Sequence, residues 1–416
     1  MSAYVRRNWG LKPRVLKRIY LPSSERIITY AASVWFNKGV KMREKLASIQ
    51  RIPLLTITRA YNTTSTEALQ ILSGIKPIHY KIIDEIYYKR LKWGWHLDDL
   101  NLVSTNLTHA QYLESLPPLK HPATSLAVPW SKGKPDNNNI EIYTDGSKID
   151  DNGSEPMQSK VGYAIVVKQN GLTIDLISNR LNDEASIYLA ELEAIKQAVI
   201  YIKNKNYKDA KIYTDSLSSL QSLNDPRNRN KIIEEIKVNI TPSIKLYWVK
   251  AHIGIEGNEE ADQQAKMATS FSRVGTMLPV ERTFIIRYIK QATMNKWKID
   301  WSESTKGRQT YNFFKDSTLT RLQSNFYLNQ LLTGHGVFGI YQQKFFNKRA
   351  NCKFSGKVQD IDHLIKFCPK FQTIRGRKGD QYTQHQLDAD IDCREKIIEI
   401  LKYTLDDLLA PASTPD

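Results

Sequence analysis

The chain has 416 residues, enough for two or three domains that each bury a core. No apolar run approaches the roughly 18 residues that cross a bilayer, and the opening MSAYVRRNWG lacks the apolar stretch of a secretory signal, so neither a membrane-spanning nor a secreted protein is expected. The net charge of +17 points to a polyanionic partner, and three cysteines near the end (Cys352, Cys368, Cys393) suit a reducing intracellular compartment, nuclear or cytoplasmic, or a metal, better than a disulfide framework.

Residues 1–115 read as helical, with apolar residues at helical spacing through VLKRIYLPSSERIITYAASVWF and a second short helix in STEALQILSGI. A linker rich in Pro, Ser, Lys and Asn is expected over 116–138, ending in the run from Asp136 to Asn139. The pattern then changes to three strands close in sequence, IEIYTD, GYAIVV and LTIDLISNRL, which suggest an antiparallel meander. A helix follows (ASIYLAELEAIKQAVIYIKN), then strand AKIYTD, helices SLSSLQSL and NKIIEEIKVNI, strand IKLYWVK, and a helix expected to open at Asn258. That order predicts an α/β domain, a mixed five-stranded sheet with flanking helices, over 139–270. After a second linker, SRVGTMLPV, residues 271–416 read as a helical, aromatic-rich domain with a turn at LLTGHGVFG.

Charge follows these divisions. Residues 1–130 hold 19 basic against 8 acidic side chains, 131–275 hold 19 against 20, and 276–416 hold 22 against 15. A neutral centre between two basic flanks looks like a site between grips.

Four acids of the centre stand out. Asp145 and Asp215 close near-copies of one strand, IYTD, and each precedes a small residue. Glu191 falls four residues after Ile187 and four before Ile195, on the stripe marked by Ala194, Ala198 and Ile202. An ionised Glu there is costly unless something positive meets it, and alone it could be met by a lysine or a backbone amide. Asp262 belongs to the first turns of a helix, where an acid suits the macrodipole anyway. Together the four can converge on one sheet edge. Their repulsion is relieved by divalent cations, and an all-oxygen set suits Mg²⁺ or Mn²⁺ rather than zinc. Two such ions form the clamp of in-line phosphodiester displacement.

IYTDGS, AELEAI, IYTDS and WVKAHIGIEGNEEAD, in this order and spacing, resemble ribonuclease H over residues 139–270. The resemblance implies a ribonuclease H-like fold and Mg²⁺-dependent endonucleolytic cleavage of the RNA strand of an RNA/DNA hybrid, leaving 5′-phosphate and 3′-hydroxyl ends. It implies that Asp145, Glu191, Asp215 and Asp262 are the catalytic, metal-binding acids and that His252 assists proton transfer or product release. Gly146, Ser147 and Asn258 match positions that hold the substrate. Some members insert a basic helical handle where this chain has NDPRNRNKIIEEIKVNI. Arg227, Arg229 and Lys231 give only a small patch there, so the phosphate grip is expected from the flanks.

NWGLKPRVLKRIY, YAASVW and SIQRIPLLTITRAYNTTSTEALQILSGIKPI resemble the thumb and connection of a LINE-type (non-LTR) reverse transcriptase. No aromatic-x-Asp-Asp signature is present; Asp98 with Asp99 and Asp150 with Asp151 stand in other contexts, so the polymerase palm is not expected. WSESTKGRQTYNFF, QLLTGHGVFGIYQQKF and NCKFSGKVQDIDHLIKFCPKF resemble the tail of the same polyproteins, which carries a Cys-Cys-His-Cys cluster. Here that cluster reads Cys352, Ser355, His363, Cys368, and either an empty hydrogen-bonded remnant or a three-ligand zinc site fits it. Cys393 lies in a separate helical stretch. The alternative to an active nuclease is a catalytically inactive nucleic-acid-binding remnant, and a third reading is cleavage of another duplex on the same fold. Oligomeric state is not legible.

Overall fold

The structure is a computed structural model that describes residues 11–92, 126–135, 139–150, 159–228, 230–317, 319, 325–375 and 390–410. Asp98, Asp99, Asp151, Arg229, and residues 116–125 and 136–138 of the expected linker lie outside the described residues. Among the described residues, 126–288 form one compact unit, and 11–92 with 289–410 form another.

The first unit is built on β1 (Trp130–Lys132), β2 (Ile140–Asp150), β3 (Ser159–Gln169), β4 (Leu172–Leu181), β5 (Ala210–Thr214) and β6 (Ile244–Trp248), in the sheet order β1-β6-β5-β2-β3-β4. The β2–β3–β4 meander is antiparallel, and β5, β6 and β1 add in parallel. Asn170 and Gly171, both at positive φ, make the tight β3–β4 turn that matches strand twist. Helix α7 (Ile187–Lys205) starts where the Ser186 side chain accepts from the Leu189 amide and stops at Asn206 in the left-handed region. Its apolar side, with Leu189, Leu192, Ile195 and Val199, packs on Ile142, Val161, Ile165 and Ile212 of the sheet. Helices α8 (Leu217–Asn224) and α9 (Lys231–Asn239) add Leu220, Leu223, Ile232, Ile233 and Ile236 to this core. Helix α10 (Glu256–Thr269) seats Ala261 against Tyr143, Val166 and Tyr213.

Several expectations are corrected. Among the described residues the sheet has six strands, not five. The extra one, β1, lies inside the expected linker and pairs Trp130 with Leu246 through Lys132 with Trp248. Three residues in a Pro- and Lys-rich stretch carry no readable alternation; pairing with β6 makes them a strand. Asp145 does not end its strand, because β2 continues to Asp150 against β3 while its pairing with β5 stops at Thr144 and Thr214. Helix α10 opens at Glu256, not Asn258. Ile187 is exposed in the first turn of α7, so the buried stripe starts later. Leu278, expected beyond this domain, joins its core, its amide bonded to Asn182 Oδ1 at 2.8 Å.

The second unit contains α1 (Pro13–Tyr20), α2 (Ser24–Thr29), α3 (Ala32–Trp35), α4 (Val40–Thr58), α5 (Thr66–Ser73) and α6 (Ile78–Lys92). From the other flank come most of α11 (Arg282–Glu303), then α12 (Arg308–Phe313), α13 (Phe326–Thr333), α14 (Gly339–Phe346), α15 (Gln372–Arg375) and α16 (Ile391–Leu409). Leu16, Tyr20, Leu54, Ile57, Leu69 and Ile75 make a core of the N-terminal part. The two flanks, expected as separate domains, are packed together: Lys76 Nζ meets Asp84 Oδ2 at 2.8 Å, and Thr293 of α11 donates to Asp84 Oδ1 at 2.6 Å. Local periodicity shows that a helix face is apolar, not which distant helix will cover it.

Candidate active site

Where the β2–β5 pairing ends, both chains present an acid. Asp145 follows Thr144 on β2, and Asp215 follows Thr214 at the tip of β5. Val249 N–H bonds to the Thr214 carbonyl at 3.0 Å and Trp248 Nε1 donates to the Asp215 carbonyl at 3.1 Å, which fixes the turn carrying Asp215. Glu191 arrives from α7, and Gly146 sets how close it comes. A Cβ at Gly146 would lie 2.6 Å from the Glu191 amide nitrogen and 2.9 Å from the Ala190 Cβ. The absent side chain lets the helix approach the strand one residue from Asp145. Gly146 itself lies within strand β2.

Asp145, Glu191 and Asp215 each offer an oxygen, and these atoms lie within 4.8 Å of one another. Asp145 and Glu191 are buried, and Glu191 Oε2 has no hydrogen-bond partner. Burial, then the charges of Asp215 and Asp262, push the Asp145 carboxyl up to about 7, against an opposing pull from the Gly146 amide. Burial, then Asp145 and Asp215, push Glu191 well above the usual carboxylate range. Without a cation, burial and mutual repulsion favour the protonated form of these carboxyls. The donor set is all carboxylate, crowded, with one buried oxygen unmet, and so it fits a hard divalent cation.

The other expected residues divide. Asp262 is not within the three-acid cluster. It is partly exposed on α10 and pairs with Lys266 Nζ at 2.6 Å, although its charge reaches Asp145. The Asp–Lys pair at i,i+4 was readable in EADQQAK and was missed. Asn258 is buried and donates from Nδ2 to Asp215 Oδ2 at 3.2 Å, so it orients an acid. Ser147 is buried on β2 opposite Gly162. His252 sits exposed at φ 54° in the turn between β6 and α10. Gly257, not singled out from sequence, lets α10 lie against Tyr143, whose ring a Cβ there would meet at 2.4 Å. Nothing local in the sequence marks it.

In the helical unit, Cys352, His363 and Cys368 are buried and bring their ligand atoms within 4.8 Å. The two sulfurs are 3.7 Å apart, Ser355 Oγ is 3.2 Å from His363 Nε2, and the Phe354 amide donates to Cys352 Sγ at 3.4 Å. Against the cost of burial, the Phe354 amide, His363 and Ser355 bring the Cys352 thiol down to about 6. Cys393 stands apart on α16.

Residues 137–270 match the family model for RNase H. The chain is 24% identical over 226 residues to the Retrovirus-related Pol polyprotein from type-1 retrotransposable element R1 of Popillia japonica, covering 53% of this chain and 90% of that sequence. To the R1 3 polyprotein of Nasonia vitripennis it is 38% identical over 89 residues, covering 18% of this chain and 22% of that one. A ribonuclease H of Campylobacter jejuni is 30% identical over 142 residues, which are 31% of this chain and 90% of the enzyme. The chain therefore belongs to the ribonuclease H family and is a ribonuclease H enzyme, its domain that of a LINE-type retroelement polyprotein.

Proposed function

We propose that the chain cleaves the RNA strand of RNA/DNA hybrids endonucleolytically, with two Mg²⁺ ions that Mn²⁺ can replace, held by Asp145, Glu191 and Asp215 and completed by Asp262. The observation that carries this reading is the cluster of three acids with a buried, unmet Glu191 oxygen. Two bound cations there supply the charge that lowers the pKa of the attacking water and stabilises the leaving oxygen. The protein's own part is to hold the acids. Gly146 keeps Glu191 close, Asn258 fixes Asp215, and the Thr214 and Trp248 contacts anchor its turn. Asp262 joins by leaving Lys266, which costs little because exposed i,i+4 pairs are worth about 0.3–0.5 kcal/mol. His252, exposed on its turn, relays a proton or speeds product release, and Gly146 and Ser147 lie along the hybrid's path. Selection of the hybrid rests on duplex shape and 2′-hydroxyls, not on base sequence. The chain carries no aromatic-x-Asp-Asp motif, and polymerisation is no part of its activity.

The spacing of Cys352, His363 and Cys368 supports a zinc ion as well. Zn–S bonds of about 2.3 Å at a tetrahedral angle place two sulfurs about 3.8 Å apart, close to the 3.7 Å observed. Ser355 Oγ, or a water beside it, takes the corner where the second cysteine of the cluster would stand. The enzyme then acts in a reducing compartment, nucleus or cytoplasm, where these thiols persist.

A labelled hybrid incubated with Mg²⁺ or with EDTA tests the main reading. Cleavage is expected only with Mg²⁺ and only of the RNA strand, and Asp145→Asn abolishes it while binding stays within a few-fold. Binding without cleavage in the unsubstituted protein supports the inactive remnant. Equal cleavage of an RNA or DNA duplex supports the third reading.

A further inference from the structure

We propose that the helical unit carries a second nucleic-acid site, a pocket that takes an unpaired nucleotide of a single strand. It is independent of the carboxylate cluster. Both flanks build it: Thr64 from the α5 side, Lys306 from the turn before α12, and His335, Tyr341, Lys344 and Phe345 from α14 and the loop preceding it. Its volume is about 610 Å³, within the range of sites that hold small organic ligands.

The pocket is built rather than incidental. The Thr63 hydroxyl bridges the flanks, 2.8 Å from His335 Nδ1 and 2.7 Å from the Tyr341 hydroxyl. Gly307, at φ 66°, brings its turn against Ser65 and Ala68, where a Cβ would come within 3.0 Å of Ser65 Oγ. The Thr64 residue is 1% exposed, lines the pocket, and its Oγ1 has no hydrogen-bond partner. Buried hydroxyls are seldom left unmet, so this one asks for a polar ligand.

The chemistry of the walls selects the ligand. His335, Tyr341 and Phe345 form a continuous aromatic shelf, with ring centroids 5.1 Å apart for His335–Tyr341 and 4.7 Å for Tyr341–Phe345. Phe345 is 42% exposed, so its face is open to a guest. Burial, then Lys344 and Arg51, lower the His335 pKa, so its ring is neutral and can stack. Lys344 sits 5.5 Å from the Phe345 ring centre, and Lys306 meets Glu67 loosely at 3.9 Å. The two acids on the rim are engaged, Asp362 by Lys366 at 2.8 Å and Asp360 by the His363 amide at 2.6 Å. A flat π face beside two ammonium groups and an unmet hydroxyl matches a base with its phosphate. A concave aromatic shelf reaches a base only when that base is unpaired, which favours a single strand over a duplex.

Fluorescence anisotropy with a short labelled single-stranded RNA, on the full chain in EDTA so that nothing is cleaved, tests this. Phe345→Ala and Lys344→Glu, both at exposed positions, should each weaken binding about tenfold. Phe345→Trp should stay within about twofold of the parent, since it keeps the stacking face, and a blunt duplex of the same sequence should bind all forms alike. A 5-iodouracil strand should cross-link to the α14 segment of the parent. Unchanged single-strand affinity in Phe345→Ala, or an equal loss for duplex, overturns the proposal. So does AMP binding the parent but not Phe345→Ala while strand affinity is the same in both, which assigns the pocket to a free nucleotide. The hybrid-cleavage assay is separate, so either reading can fail without the other.

Discussion

Two clusters of buried charge, one in each unit, have opposite logic. In the helical unit Lys76 and Asp84 are 8% and 7% exposed and face each other at 2.8 Å, while Thr293 donates to the second Asp84 oxygen and Gln50 Nε2 to the Lys76 carbonyl. Burial lowers the Lys76 pKa and raises that of Asp84, and their mutual attraction opposes both shifts. Opposite charges with their bonds made need nothing more. In the sheet unit Asp145, Glu191 and Asp215 bring like charges together and leave Glu191 Oε2 unmet. That cluster is incomplete without a cation. Burial alone does not mark a functional site; a buried charge whose partner is missing does.

The sharpest way to break this contrast is one conservative change in each cluster. Asp145→Asn should abolish hybrid cleavage yet leave the protein folded, measured by gel assay and circular dichroism. Asp84→Asn strands Lys76 and should cost about 3–5 kcal/mol of stability, read by denaturant unfolding, while the rate per folded molecule stays that of the parent. Replacing both members, Lys76→Met with Asp84→Leu, should recover most of that loss. If Asp84→Asn abolished cleavage without loss of stability, the pair would not be merely structural.

The contrast was legible in the sequence on one side only. The paired IYTD strands and a glutamate on an apolar helix face mark the carboxylate cluster because period-2 and period-3.6 patterns place each acid locally, and the sheet then joins them. Strand β1 was not legible, since Trp130–Lys132 becomes a strand only by meeting β6. The closeness of α7 to β2 depends on Gly146 as packing, which nothing in the local pattern announces. Lys76 and Thr293 are 217 residues apart, and nothing in either segment announces the other. The motif Cys352, Ser355, His363, Cys368 was readable, but the 3.7 Å sulfur spacing that supports zinc was not. Co²⁺ in place of Zn²⁺ should give thiolate charge-transfer and d–d absorption in the parent, and Ser355→Cys should tighten binding. Absence of those bands in both forms would identify an empty remnant.

Acidity separates the two clusters further. The Asp145 pKa is raised in the folded, metal-free protein to about 7 from 3.8. Between those values the folded state holds a proton that the unfolded state has released, so this group's unfavourable contribution grows as pH rises and is complete above about 7. Metal-free Asp145→Asn should therefore melt several degrees above the parent at pH 8, and the difference should shrink toward pH 5. Cations need the proton gone, so Mg²⁺ affinity should rise as pH increases through about 7 and then level. A Mg²⁺ affinity flat from pH 5.5 to 8.5 would show that no proton competes with the cation there.

The smallest effect tests whether Asp262 belongs with the three acids. It is held 2.6 Å from Lys266 in an exposed pair, outside the cluster, yet its charge contributes to the raised Asp145. Lys266→Ala frees the carboxylate at a cost of no more than about 0.5 kcal/mol in stability. If Asp262 swings in to complete the cation site, Lys266→Ala should leave cleavage intact and lower the Mg²⁺ concentration for half-maximal rate by about twofold, because a competing cation has been removed. Asp262→Asn should move that concentration the other way. A fall in cleavage on losing Lys266 would mean that the lysine positions the carboxylate and that their pairing belongs to the working state.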